Sequence, residues 1–171
     1  ILWTERRLVM ASELHIIARH ADRAPVDLQA IFDDFGIDYS ERSIRTGESG
    51  WIERNGDNYS VVVDALDSEQ RRRFTAAHEL AHYILHRDLM DHGSRMMRHT
   101  DRLYDDDNRN ENSPFKPFHE VQANKMAAQI LMPAKLIRDR HETGLTTDQL
   151  AHEFRVSRRA MEIRLSSLGL I

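Results

Sequence analysis

There is no cysteine in this 171-residue chain. That excludes disulfides and thiolate ligands, so a zinc site built here must use histidine and carboxylates. It also fits a cytoplasmic location, which is the expectation for the chain. No run approaches the ~18 apolar residues that a membrane-spanning helix needs. The opening Ile1-Leu2-Trp3-Thr4-Glu5-Arg6-Arg7 carries no signal-peptide apolar region, so no membrane partner is expected. Positive charge is not in excess either: 24 Lys and Arg face 28 Asp and Glu, a net charge of -4. That balance argues against a general nucleic-acid binder. No internal repeat stands out. What remains is 40% hydrophobic and 30% charged, with a mean hydropathy of -0.60, which describes an ordinary globular protein with one core.

The apolar residues Leu8, Val9, Leu14 and Ile17 recur at helical spacing and predict a surface helix over 8–19. Pro25 suits a first helical turn, and Leu28, Ile31, Phe32 and Phe35 form a 3.6-period stripe ended by Gly36. The period then changes. Two β-rich runs between Gly50 and Asp64 flank Asn55-Gly56-Asp57, a strong hairpin signal. Asp67 or Ser68 can cap a long helix reaching about His86. Residues 87–117 are polar and read as a long loop. A second strong helix spans about Phe118 to Met132, broken by Pro133. Short helices fit 134–140, 147–154 and 157–168.

The chemistry lies in His78-Glu79-Leu80-Ala81-His82. Residues four apart share a helix face, so both imidazoles can converge on one ion. Glu79 is rotated about 100° from His78, which sets its carboxylate beside a water and off the metal. A cation held there lowers the water's pKa towards ~7, and Glu79 takes the proton as the water attacks a carbonyl. With ten His and twelve Glu in the chain, composition alone gives about a 4% chance of this pattern. The bland alternative is a pair of solvated histidines on an exposed helix.

A catalytic site needs a third protein ligand and one open position. Glu120 is the best candidate, because it opens the next strong helix and Asn124 follows on the same face. Asn124 can orient a ligating histidine through a hydrogen bond. Glu120 also suits a first-turn acid favoured by the helix dipole. His86, His92, His99 and His119 are the other candidates. His86 drifts about 80° from His78 around the helix and reads more simply as a helix C-terminal imidazole. For a second donor to the oxyanion, Tyr83, Tyr104, His99 and His119 are candidates.

Read together, Arg73-Phe74-Thr75-Ala76-Ala77-His78-Glu79-Leu80-Ala81-His82, Glu120-Val121-Gln122-Ala123-Asn124-Lys125-Met126-Ala127 and Leu131-Met132-Pro133 resemble the signature of the ImmA/IrrE metallopeptidases. The resemblance covers roughly residues 25–170 in element order. It implies His78, His82 and Glu120 as metal ligands, Glu79 as the catalytic carboxylate, and a small zincin-like core similar to a reduced thermolysin fold. It further implies a regulatory protein as substrate, typically a helix-turn-helix repressor or an antitoxin-like regulator. Ala81 stands where the family usually has Gly, and Met126 where it usually has Phe. The span between His82 and Glu120 is longer than the family's usual one.

Residues 145–168 read as two short helices joined near Val156-Ser157, resembling a helix-turn-helix unit, with Arg155, Arg158, Arg159 and Arg164 on or near the second. One reading is DNA or partner contact through Arg155, Arg158 and Arg159. The favoured one is a helical buttress packed on the core, since few basic residues elsewhere could anchor phosphates.

The expectation is therefore an α+β chain. Residues 1–133 form a metallopeptidase core of hairpin or small sheet, HExxH helix and third-ligand helix, and 134–171 a helix-turn-helix-like segment packed on it. The expected function is a zinc-dependent endopeptidase that cleaves a partner regulator. Mn2+ or Fe2+ are also tolerated by a His/His/Glu set. The alternative is a non-catalytic metal-binding or DNA-binding module.

Overall fold

Asp27 starts the first well-packed helix. Its side chain accepts from Ala30 N at 3.1 Å, opening α2 (Leu28–Phe35), and Gly36 ends it at φ 66, a left-handed conformation that glycine tolerates without steric cost. Leu28, Ile31 and Phe32 are the buried stripe. Pro25 precedes this helix and is no part of its first turn, because Asp27 supplies the cap. The computed structural model of the chain describes residues 2–90, 95–99 and 114–171.

The sheet has the order β1-β3-β2-β4. The hairpin of β2 (Glu48–Asn55) and β3 (Asn58–Asp64) turns at Gly56-Asp57, with Gly56 at φ 64 and Asn55 paired to Asn58. Against it lie two strands that the sequence does not announce. The first, β1 (Asp38–Arg42), runs parallel to β3, pairing Asp38 with Ser60 and Arg42 with Asp64. The second, β4 (Arg95–His99), pairs antiparallel with β2 inside the span expected to be loop. That span also opens with a short 3-10 turn at Arg87–Leu89. Its remaining residues 91–94 and 100–113 lie outside the described ones.

Helix α3 (Glu69–His86) crosses the sheet at close range. A Cβ on Gly50 of β2 would lie 2.5 Å from Val62 O and 2.9 Å from Thr75 Cγ2, so only glycine lets strand and helix approach this far. On its other side α3 packs against α4 (Pro117–Leu131). Then come α5 (Ala134–Glu142), α6 (Thr147–Phe154) and α7 (Arg158–Ser167). Thr146 and Ser157 cap the last two through side-chain oxygens. One continuous apolar cluster joins Phe32 of α2, Val61 of β3, Leu80 of α3 and Ile130 of α4 with Ile137, Phe154 and Met161 of the three C-terminal helices.

The N-terminal helix α1 spans Leu2–Arg19, six residues more than the apolar spacing marks. It lies on the surface as expected, with Leu8, Val9 and Leu14 exposed. Its anchor is polar: buried Glu13 meets Arg87 at 2.9 Å, and Arg6 pairs with Asp88. No helix among the described residues is long and apolar enough to cross a membrane.

Candidate metal centre

Ser68 accepts from Arg71 N at 3.3 Å and starts α3, and from Phe74 to His82 every side chain of that helix is buried. Ala76, Ala77 and Ala81 leave little bulk there, so sheet and α4 both approach the helix axis closely. The four-residue spacing of His78 and His82 then sets both imidazoles on the face that α4 crosses. Their Nε2 atoms are 3.0 Å apart. Pro117 opens α4, and Glu120 in its first turn brings Oε2 within 3.2 Å of His78 Nε2 and 3.5 Å of His82 Nε2. The Glu120 side chain is 12% exposed and the histidine side chains 2% or less.

The outer nitrogens are also held. His78 Nδ1 lies 2.7 Å from Asn124 Oδ1, one turn beyond Glu120 on α4. An amide oxygen only accepts, so Nδ1 carries the hydrogen and the Nε2 lone pair faces the cluster. His82 is held through a relay. Its Nδ1 lies 3.0 Å from His86 Nδ1, and His86 Nε2 lies 2.9 Å from Gln122 Oε1. Burial holds His86 below the usual histidine range, and its bond to Gln122 only partly offsets this. A neutral His86 that donates from Nε2 to Gln122 accepts at Nδ1 from His82. His82 Nε2 is thereby left as a lone pair towards Glu120. Phe115 stacks on the His82 ring at 4.0 Å and 7°.

These residues fit a divalent cation. Four tetrahedral ligands at ~2.0–2.1 Å from zinc lie about 3.3 Å from one another, and the three separations of 3.0, 3.2 and 3.5 Å bracket that value. His78, His82 and Glu120 offer three basic atoms to one point. Three protein ligands is the number that a catalytic zinc site uses. Glu79, next to His78 on α3, is fully buried.

Of the other third-ligand candidates, His86 lies behind His82 as its hydrogen-bond partner. His119 Nδ1 accepts from Lys116 N at 2.9 Å and helps cap α4. His92, Tyr104 and the side chain of His99 lie outside the described residues. Tyr83 faces away from the cluster, edge-on to Tyr59 and Phe35, and packs the sheet side of α3. The three arginines singled out at the C-terminus part company. Arg155, in the turn before α7, pairs with Glu69, and Arg158 with Asp148 and Glu162. Arg159 points to the α4 side, lining a groove with Asn124 and Lys125. Gln122 and Phe115 carry no mark in the sequence, and His86 is legible only as a continuation of the histidine row.

Residues 32–166, more than three quarters of the chain, match the peptidase family described as the IrrE N-terminal-like domain. The chain belongs to the ImmA/IrrE metallopeptidase family. A comparison with curated proteins returns no match.

Proposed function

We propose that this protein is a zinc-dependent endopeptidase that cleaves a partner regulatory protein, a helix-turn-helix repressor or an antitoxin-like regulator. The observation that carries the peptidase reading is the convergence of His78 Nε2, His82 Nε2 and Glu120 Oε2 beside a fully buried Glu79 on the same helix. The family supports the reaction class; the substrate rests on the resemblance of the motifs.

His78, His82 and Glu120 would hold the ion, with zinc favoured by the donor set and Mn2+ or Fe2+ also accepted by it. When bound, the cation supplies Lewis acidity to a water and to the scissile carbonyl. Glu79 would take a proton from the attacking water as the water's oxygen bonds to the carbonyl carbon, and would then give that proton to the amine nitrogen as the C–N bond breaks. Asn124, and Gln122 through His86, keep both ligand imidazoles in the tautomer that presents Nε2. The C-terminal segment 134–171 serves as a buttress with a helix-turn-helix-like end. Arg155 and Arg158 pair with carboxylates of the chain itself.

The test mixes the zinc-loaded protein with candidate helix-turn-helix repressors and antitoxins and follows cleavage by mass spectrometry, with Glu79→Gln alongside. The expected result is a defined cut that the variant loses. Intact candidates throughout, or a cut that survives in Glu79→Gln, would overturn the reading.

A further inference from the structure

Behind Asn124, on the side away from the histidine row, a groove of about 510 Å³ runs between α4 and α7 over Phe74. Its size is that of a binding cleft. Val121, Lys125 and Ala128 follow one another at helical spacing along the α4 wall, and Arg159, Ile163 and Arg164 along the α7 wall. The groove is thus apolar at its base and cationic at its rim. Among the described residues no carboxylate lines it.

Two neighbouring arginines are neutralised, and the cations of the groove are not. Arg155 and Arg158 have carboxylate partners at 2.8 and 2.9 Å. Lys125 and Arg159 are exposed and make no ion pair among the described residues. Half-buried Arg164 donates from Nε to Met132 O at 3.0 Å and likewise has no carboxylate. Burying part of a guanidinium without a counter-charge costs free energy, which a ligand carboxylate would offset. Ile163, 51% exposed, sets a large aliphatic side chain between the cations. Asn124 lines the groove and touches the outer nitrogen of His78, so the groove abuts the back of the metal centre.

We propose that this groove docks an acidic segment of the protein substrate that carries aliphatic side chains, as an exosite behind the metal centre. The proposal rests on the peptidase reading above and names the chemistry of its substrate. Charge complementarity selects the occupant: carboxylates meet Lys125, Arg159 and Arg164, and aliphatic side chains meet Ile163 and the base. Duplex DNA fits less well, because phosphates gain nothing from an apolar base and Arg155 and Arg158 are already paired.

Binding is measured by fluorescence anisotropy with zinc-loaded Glu79→Gln protein and a labelled peptide of alternating Glu-Glu and Leu-Leu pairs. A peptide with Lys in place of each Glu is the control. The acidic peptide binds and the control does not. Lys125→Glu, Arg159→Glu and Ile163→Asp, all at exposed positions, each raise Kd about tenfold, whereas Arg158→Ala leaves it unchanged. Binding blind to peptide charge or to these substitutions overturns the proposal. So does duplex DNA binding, or self-association, that these substitutions abolish while the acidic peptide stays unbound. Cleavage separates the two claims. If the peptide docks but wild-type protein cuts no regulator, the activity fails and the groove stands. If a regulator is cut and Lys125→Glu and Arg159→Glu leave its KM unchanged, the groove fails alone.

Discussion

Asn124 Oδ1 lies 2.7 Å from His78 Nδ1, so a residue of α4 sets the proton position of a histidine on α3. Glu120, one turn earlier on α4, meets the other nitrogen of the same ring at 3.2 Å. One helix face thus supplies both a candidate ligand atom and the bond that orients another. The crossing of α3 and α4 is therefore the element on which the whole centre depends.

Asn124→Ala removes the acceptor and lets the His78 ring turn or change tautomer. Zinc affinity is expected to fall about 10–100-fold, the usual cost of losing an outer partner of a ligating histidine. Competition with a chromophoric chelator measures this. Gln122→Ala, at an exposed position, acts one bond further out through His86 and should lower affinity by less. A variant pair in the reverse order would show that His86, and not Asn124, dominates orientation.

Removing the metal should destabilise the fold as well as the activity. An ion that binds only the native state contributes about 2.7 kcal/mol at a concentration a hundred times its Kd. Thermal unfolding with excess zinc and after chelation is expected to show a clear drop in Tm for the wild type. In Glu120→Gln that drop should shrink, because a neutral amide is a poorer third ligand than a carboxylate. Equal drops in both proteins would remove Glu120 from the ligand set.

How far the sequence reaches depends on how local each signal is. The cap at Ser68, the Gly56 turn and the stripe of α2 are legible because each is set by neighbours a few residues apart. The edge strand β1 is not: Asp38-Tyr39-Ser40-Glu41-Arg42 has no alternation, and its partner Ser60 is far along the chain. The same holds for β4, which lies in a polar span. At the site, His78 and His82 follow from helix geometry alone. Glu120 stands among several candidates until the angle at which α4 crosses α3 is known. Gln122 and Phe115 reach the histidine row only through that crossing, so nothing in their local pattern marks them.

Glu13 gives a pH dependence whose sign can be worked out. Burial pushes its carboxyl above the usual range, and the nearby Arg87 guanidinium only partly reverses this. The native state therefore binds the Glu13 proton more tightly than the unfolded chain does. That contribution is fully present below the unfolded pKa and is lost as pH rises through the raised native one. Glu13→Gln lacks the titration. The stability of wild type relative to Glu13→Gln is expected to decline as pH rises from about 4 towards neutrality. Urea unfolding at several pH values checks it, and a difference that grows with pH would show the carboxylate to be net stabilised by Arg87.

Gly50→Ala tests the contact on which the sheet side of α3 rests. The added methyl would lie 2.5 Å from Val62 O, a backbone atom held in the β2–β3 ladder, and 2.9 Å from Thr75 Cγ2 on α3. Thr75 is fully buried and cannot turn outwards, so either the strand pairing or the helix must shift. Overpacking of this kind costs about 1–3 kcal/mol. Thr75 is one turn before His78–Glu79, so the displacement is carried towards the ligands. Gly50→Ala is expected to lower the midpoint of urea unfolding and to weaken zinc binding with it. Thr75→Ser removes the Cγ2 methyl and, combined with Gly50→Ala, should recover part of both losses. A double variant no better than Gly50→Ala would put the cost in the strand pairing at Val62 and leave the helix contact without a role.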